Sequence, residues 1–419
     1  MGRLKRFVEL VVPKRVYQAL LPLYHFAWTL LAALYYRFPA RSLTVIAVTG
    51  TKGKSSVAEM IASILTEAGH TVALSSTIHF TIGGESRPNK YKMTLPGHGF
   101  IQRFLREAVT KGATFAVVEV TSEAALQYRH TFLYLNALVF TNLEKEHLER
   151  HGGMESYFQA KFRIATSLLH SSKRPRAVIA NAESEHGKRF LALAVEKQIP
   201  FTFADAENFQ TTDEGIAFDY DGVRVTLPHP GAFSARNALA ALKAASFLGV
   251  ETKTGAAALA KLSKISGRAE RIEAGQDFLA IVDYAHTPDS LRALYEAFGK
   301  KRKICVLGNT GGGRDTWKRP EMGRIAEEAC EVVILTDEDP YDEDPDAIVA
   351  AMVGGMNKAP LIEMDRRKAI AYALREAKSG DVVLITGKGT DPYIMRASGA
   401  KESWSDGEVV REELEKLKS

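Results

Sequence analysis

Two periodicities alternate along this chain. Apolar runs of five or six residues, as expected of strands covered on both faces, are followed by stretches in which apolar residues return every three or four positions, as on a helix lying against a sheet. Residues 43–48 (LTVIAV) predict a first buried strand. After a short Gly-containing loop, Val57, Met60, Ile61, Ile64, Leu65 and Ala68 predict a helix that Gly69 stops. Residues 115–120 and 136–140 predict two more strands, and 215–227 alternate around Asp221-Gly222 as a hairpin does. A second series begins near residue 268, with strands expected at 279–283, 303–307, 332–335 and 382–386. Strand and helix in alternation predict an α/β protein with mostly parallel sheets. At 419 residues the chain is too long for one ordinary core, and a boundary falls at 265–268.

The N-terminus breaks this pattern. Residues 16–36 (VYQALLPLYHFAWTLLAALYY) are strongly apolar, with Gln18, Pro22 and His25 among them, and Arg3, Lys5, Arg6, Lys14, Arg15, Arg37 and Arg41 flank the run. No small-residue cleavage site follows, which argues against a secretory signal. Basic flanks together with Trp28, Tyr35 and Tyr36 suit a helix lying in a membrane interface. A helix packed on the next domain explains the run equally well, and a transmembrane span ranks behind both.

Composition adds little. The net charge of +5 is mild and its signs are interspersed, so nucleic acid is not an expected partner. The two cysteines, Cys305 and Cys330, show neither metal spacing nor a disulfide framework. Each sits beside an apolar run, so buried free thiols and a reducing cytoplasm are the expectation.

The segment Thr49-Gly-Thr-Lys-Gly-Lys-Ser-Ser56 joins the first strand to the first helix. In that setting backbone N–H groups and the helix N-terminus face an anion, Lys54 reaches terminal phosphates, and Ser55 offers a hydroxyl to Mg²⁺. The spacing is shorter than the general phosphate-loop pattern, because position 48 is Val and the first glycine is Gly50.

This shortened loop resembles that of the Mur ligases and of folylpolyglutamate synthase, and the resemblance continues in order. Glu119-Val-Thr-Ser122, Phe140-Thr-Asn-Leu-Glu-Lys-Glu-His-Leu-Glu-Arg-His-Gly152, Gln159-Ala-Lys-Phe162 and Gly231-Ala-Phe-Ser-Ala-Arg-Asn237 look like successive motifs of the Mur ligase family. Gly267-Arg268, Asp283-Tyr-Ala-His-Thr-Pro288, Gly311-Gly-Gly-Arg-Asp315, Lys318-Arg-Pro320 and Gly387-Lys-Gly389 complete the set. The resemblance implies a central P-loop ATPase domain (43–266) and a C-terminal Rossmann-like domain that binds the amino acid (267–419), after the segment 1–42.

The chemistry it implies is amide-bond formation driven by ATP, in the cytoplasm and in cell-wall (peptidoglycan) synthesis. A carboxylate is a poor electrophile; phosphorylating it makes an acyl phosphate that an amine can attack, and two anions must first be brought together. By resemblance Gly50, Thr51, Lys52, Gly53, Lys54, Ser55 and Ser56 hold the ATP phosphates, and Ser55 with Glu119 holds one Mg²⁺. His147 and an N6-carboxylated Lys161 hold a second, and Lys54, Glu119, His147 and Lys161 make the catalytic group. Asn237, expected at the start of a helix 238–248, resembles the residue that meets adenine, and Arg268 and Asp283 the pair that meets the rest of the nucleotide. Taken alone, His147 and Lys161 would read as surface charges.

Thr94, Ser122, Gln127 and Arg129 narrow the resemblance to the branch that adds the third residue of the stem peptide, with a muramoyl-peptide precursor and a free amino acid as partners. Arg314, Asp339, Gly387 and Asp391 would hold the amino acid. Where diaminopimelate-adding enzymes show D-N-P-R, this chain has Glu338-Asp-Pro-Tyr341, and seven acidic residues lie between 337 and 346. Lysine or another dibasic amino acid is therefore expected, although a solvated acidic loop reads as simply. About 42 residues precede the first strand, too few for the separate domain that grips uridine diphosphate in such enzymes. A lipid-linked acceptor met at the inner membrane surface through residues 1–41 is the corresponding expectation. Ligases of the poly-γ-glutamate or folylpolyglutamate type, or a non-catalytic ATP-binding scaffold, are the alternatives.

Overall fold

The computed structural model describes residues 14–146, 151–212, 214–313 and 315–418. These form two compact units, one from Met1–Leu143, Glu155–Phe201 and Ala240–Val250, the other from Glu144–Met154, Thr202–Leu239 and Glu251–Ser419.

The first unit is built on an eight-stranded sheet. Its spatial order is Glu85–Pro88, His79–Ile82, Val72–Ser75, Phe115–Glu119, Thr44–Thr49, Ala137–Phe140, Ala177–Asn181, Lys197–Phe201. The last six are parallel and the first two antiparallel. Parallel strands need cover on both faces, and this one has it: Val45, Ala47, Ala116 and Val118 lie in one apolar cluster while Ile46, Val48 and Val117 are equally buried opposite. Thr44–Thr49 is the centre from which the chain first builds one side of the sheet and then the other. The ends of such a strand leave a crevice at the point of reversal.

The N-terminal apolar run is a helix, Lys14–Tyr35, with Pro22 inside it. Thr29 and Ala33 are fully buried, His25 stacks on His98 with centroids 4.7 Å apart, and Phe26 meets Tyr128 and Phe132 at 5.9 and 5.8 Å. One face of the helix therefore packs on this unit. Among the described residues no helix is long and apolar enough to cross a membrane.

The second unit contains a six-stranded sheet in the order Glu270–Ile272, Leu279–Asp283, Val382–Thr386, Lys303–Leu307, Val332–Leu335, Leu361–Ile362. Only the first pairing is antiparallel. Ile281, Cys305, Leu307 and Leu384 enter one core and Val282, Ile304, Val306 and Val383 the other, the period-two division of a strand covered twice. The expected hairpin is present: Tyr220 pairs with Val223, and Asp221 and Gly222 have φ of 53° and 70°, the positive pair that a tight two-residue turn requires.

Two expectations are corrected. Asn237 does not begin a helix; it lies inside Ala232–Phe247, which starts just after Gly231 (φ +83°). Cys305 and Cys330 are both buried, as expected, but joined in a disulfide with Cα atoms 6.2 Å apart. A strand and the end of the helix Lys318–Ala329 bring them within bridging range, which a separation of 25 residues does not reveal. The free thiols from which a reducing compartment was inferred are thus not present.

Candidate active site

The loop after Thr44–Thr49 is held from below by its neighbour in the sheet. Lys52 N–H donates to Asn142 Oδ1 at 2.8 Å, Asn142 Nδ2 to the Lys52 carbonyl at 3.2 Å, and Thr141 Oγ1 to the same carbonyl at 2.6 Å. Thr51 N–H donates to the Asn142 carbonyl at 2.9 Å. Gly50 (φ +151°) has no room for a side chain, since a Cβ there would lie 1.9 Å from Thr141 Oγ1. Gly53 (φ +78°) turns the chain into the helix Lys54–Glu67, and Lys54 Nζ folds back on the Thr51 carbonyl at 2.8 Å. A fixed loop at the N-terminus of a 14-residue helix is a concave donor surface suited to phosphate.

Glu119 ends the strand beside this loop and is 1 % exposed. Its Oε2 accepts from Ser55 Oγ at 2.9 Å and from Thr77 N–H and Oγ1 at 2.8 and 3.0 Å. Thr77 Oγ1 also lies 2.7 Å from Thr94 Oγ1. A buried carboxylate surrounded by hydroxyls is a hard oxygen site that suits Mg²⁺ and the phosphate it would carry. Lys161 is 1 % exposed; its Nζ donates to the Gly50 carbonyl at 2.7 Å and sits 4.4 Å from the Tyr157 ring centre, whose hydroxyl accepts from Thr51 Oγ1 at 3.4 Å. Loop, Glu119 and Lys161 are thus gathered in one unit. His147 lies outside the described residues.

Thr94, joined to this cluster through Thr77, is buried, and so is Ser122. Arg129 is also buried, not a surface salt bridge: its guanidinium donates to Gln127 Oε1 and to the Leu95 carbonyl, and burial pulls it below its ordinary range. Backbone and amide oxygens orient Arg129 here without neutralising its charge.

In the second unit, Arg268 lies 4.6 Å above the Tyr284 ring, and Asp283 accepts from Ala269 N–H and Ala285 N–H, each at 2.6 Å. Gly267 is pressed against Gly389, where a Cβ would come within 2.6 Å of backbone. Asp391, above all, and burial push the Tyr284 hydroxyl well above its ordinary range. Lys388, fully buried, donates to Asp339 Oδ1 at 2.8 Å, to the Tyr393 carbonyl at 2.7 Å and to Asp391 Oδ2 at 3.4 Å. Gly387 lies beside Glu338, whose Oε2 a Cβ would approach to 2.3 Å. Burial, then the Asp339 carboxylate, pushes the Glu338 carboxyl up. The reading of 337–346 as a merely solvated loop is corrected: Asp337, Glu338 and Asp339 are buried, against Arg396, Thr310 and Lys388 in turn, just past the end of the buried strand Val332–Leu335. Arg314 lies outside the described residues. Asn237 is half-buried within its helix.

Several partners escaped sequence reading. Thr77 had no motif to mark it. Thr141 and Asn142 stand in a motif that was noticed, but as anonymous members of it. Glu146, next to His147, meets His286 Nε2 at 2.7 Å.

Residues 48–245 match the Mur ligase middle domain and residues 267–389 the Mur ligase glutamate ligase domain. A UDP-N-acetylmuramoyl-L-alanyl-D-glutamate–2,6-diaminopimelate ligase of Gloeobacter violaceus is 40% identical, over 93% of this chain and 81% of the relative. The chain belongs to the Mur ligase family. It is therefore a ligase that forms carbon–nitrogen bonds, ATP- and Mg²⁺-dependent as the family is. The ligase of the same name from Aquifex aeolicus is 36% identical, over 90% and 78% of the two chains. A solved structure titled as such a ligase superposes with a TM-score of 0.62 at 29% identity, over 90% of this chain and 79% of that one. The folylpolyglutamate synthase of Mycobacterium tuberculosis gives 0.72 at 17% identity, over 87% and 93%, a likeness of fold.

The Gly50 contact yields a first test in this Mur ligase. Gly50→Ala must displace Thr141 or the loop, so ADP release should fall at least about 100-fold with a stability loss of about 1–3 kcal/mol. A coupled ADP assay beside a thermal melt measures both.

Proposed function

We propose that this Mur ligase adds lysine, or another dibasic amino acid, to the free carboxylate of a muramoyl-peptide cell-wall precursor through an acyl phosphate. The observation that carries this reading is the meeting of Ser55, Thr77 and, through Thr77, Thr94 at the Glu119 carboxylate. A residue proposed for the acceptor and one proposed for the nucleotide thereby share a single hydrogen-bonded cluster, as transfer of a phosphoryl group from one to the other demands.

In this mechanism the loop 50–56 holds the nucleotide phosphates, and Lys54 leaves the Thr51 carbonyl for the terminal phosphate. Glu119 and Ser55 would hold Mg²⁺, which neutralises charge as the phosphoryl group leaves. Lys161, carboxylated at Nζ, and His147 would hold a second ion. Arg129, with Gln127 and Ser122, positions the anionic acceptor. Asn237, Arg268 and Asp283 take the rest of the nucleotide. Arg314, Asp339, Gly387 and Asp391 hold the incoming amino acid, the Asp391 carboxylate accepting a hydrogen bond from its amine. Asp339 acts through Lys388, which it already binds.

Tyr341 supplies no cation for a second carboxylate, and the exposed acids of the same run, Asp342, Asp344 and Asp346, favour a cationic side chain. Diaminopimelate is the second reading, because the relatives from Gloeobacter violaceus and Aquifex aeolicus carry it in their names. A matrix of UDP-linked and lipid-linked muramoyl-dipeptide acceptors against the amino acids separates the possibilities. Lysine-dependent ADP release at least about tenfold above that with diaminopimelate supports the reading, an inverted ratio overturns it. Release dependent on glutamate with a folate or polyglutamate acceptor points to the alternative ligases, and none at all to a scaffold. The acceptor's carrier belongs to the same proposal: residues 1–41 make peripheral contact with the inner membrane surface.

A further inference from the structure

The N-terminal helix Lys14–Tyr35 is inside out. Its seam toward the protein runs through Leu21, His25, Thr29 and Ala33, residues four apart that include its polar and small members. Its outer face carries Val16, Leu20, Leu23, Tyr24, Trp28, Leu31, Leu34 and Tyr35, all exposed, with Leu23 at 64% and Tyr35 at 80%. At roughly 100° per residue these occupy one stripe about 140° wide. A globular helix turns such a stripe inward. This one leaves it open.

Charge decides what covers it. Residues 1–41 hold seven basic side chains and one acidic, Glu9, a net +6, whereas the whole chain is +5. The rest of the protein is thus almost neutral, and its positive charge is concentrated in the sequence segment that carries the apolar stripe. Two such segments repel, which opposes pairing with a second copy; an anionic surface attracts. A stripe of Leu, Tyr and Trp in a segment flanked in sequence by Arg and Lys matches the headgroup–acyl boundary of an anionic bilayer.

The helix also touches sequence neighbours of the residues proposed to hold the acceptor. His25 Nδ1 lies 2.5 Å from His98 Nε2, four residues after Thr94, and Phe26 packs on Tyr128, between Gln127 and Arg129. Burial and the neighbouring charges hold the His98 ring at about 4, so this contact is neutral at physiological pH. We infer that the outer face of the helix Lys14–Tyr35 docks on the surface of an anionic phospholipid membrane and so presents Thr94, Gln127 and Arg129 beside the lipid. This deepens the membrane part of the function proposed above and rests on it for the acceptor alone.

Flotation of the full chain with vesicles tests it. Binding to mixed phosphatidylglycerol–phosphatidylcholine vesicles, lost with phosphatidylcholine alone and weakened by salt, is the expected result. Leu23→Glu combined with Leu31→Glu should lower the bound fraction at least about tenfold, with an unchanged thermal melt because both sites face outward. Turnover on a soluble UDP-linked acceptor should not change. No binding to anionic vesicles, or binding indifferent to the two substitutions, overturns the inference. A dimer in light scattering that the double variant dissolves overturns it too, since a second copy then covers the face. A wild-type chain that floats but never releases ADP sinks the ligase reading and leaves this one standing.

Discussion

Glu119→Gln should leave a folded protein that releases ADP at least about 10³-fold more slowly, with acceptor and amino acid both present. The change preserves volume at a fully buried site. It removes the one negative charge on which Ser55 Oγ, Thr77 N–H and Thr77 Oγ1 converge within 3.0 Å. A glutamine oxygen can keep the backbone donor of Thr77, so the melting temperature should move little. What it cannot do is bind Mg²⁺ as a carboxylate does, and its NH₂ would face hydroxyls now oriented as donors. Two comparisons make the result decisive. Thr77→Val, which removes a hydroxyl and keeps the charge, should reduce turnover by about tenfold. Raising Mg²⁺ should recover part of the activity of Thr77→Val and none of that of Glu119→Gln. Near-normal turnover in Glu119→Gln would remove the cluster from the reaction.

How much of this was legible beforehand depends on whether the cause was local. The strands of both sheets and the hairpin at Asp221-Gly222 could be read because a doubly covered strand must be apolar throughout and a two-residue turn must have positive φ. The loop 49–56 could be read because its glycines and its Lys-Ser pair answer to one backbone geometry. Thr77 could not: it contributes one hydroxyl and one backbone N–H from a loop after Val72–Ser75, and only the sheet order sets that loop against Glu119. Asn237 was misplaced because helix starts follow from the preceding turn, here Gly231, as much as from the capping residue. The acidic run 337–346 is half buried and half exposed, a distinction that depends on Lys388 and Arg396, 49 and 59 residues from the acids they bind. The cysteine pair fails for the same reason. Composition at one place does not report its partner at another.

Lys161→Ala should lower turnover by about 10²- to 10³-fold, and the loss should be partly restored by formate or acetate. Lys161 is buried, and its Nζ is directed at the Gly50 carbonyl, so it stands at the base of the phosphate loop. As an ammonium it would attract phosphate without any carboxylate; as a carbamate it would offer two anionic oxygens that could help hold a second Mg²⁺ and so supply charge neutralisation. The two forms predict opposite behaviour. A cation lost to alanine is not replaced by added formate, whereas an oxygen ligand is, because a small carboxylate fits the space the side chain leaves. Removing CO₂ from the buffer should slow the wild type reversibly and leave Lys161→Ala as it was. Growth or incubation with ¹³C-bicarbonate should give a carbamate resonance that the variant lacks. Absence of formate rescue, of CO₂ dependence and of that resonance would leave Lys161 as a support for Gly50. In that case Lys161→Met, which fills the volume without the charge, should melt at a lower temperature than the wild type and lose activity in step with its loss of stability.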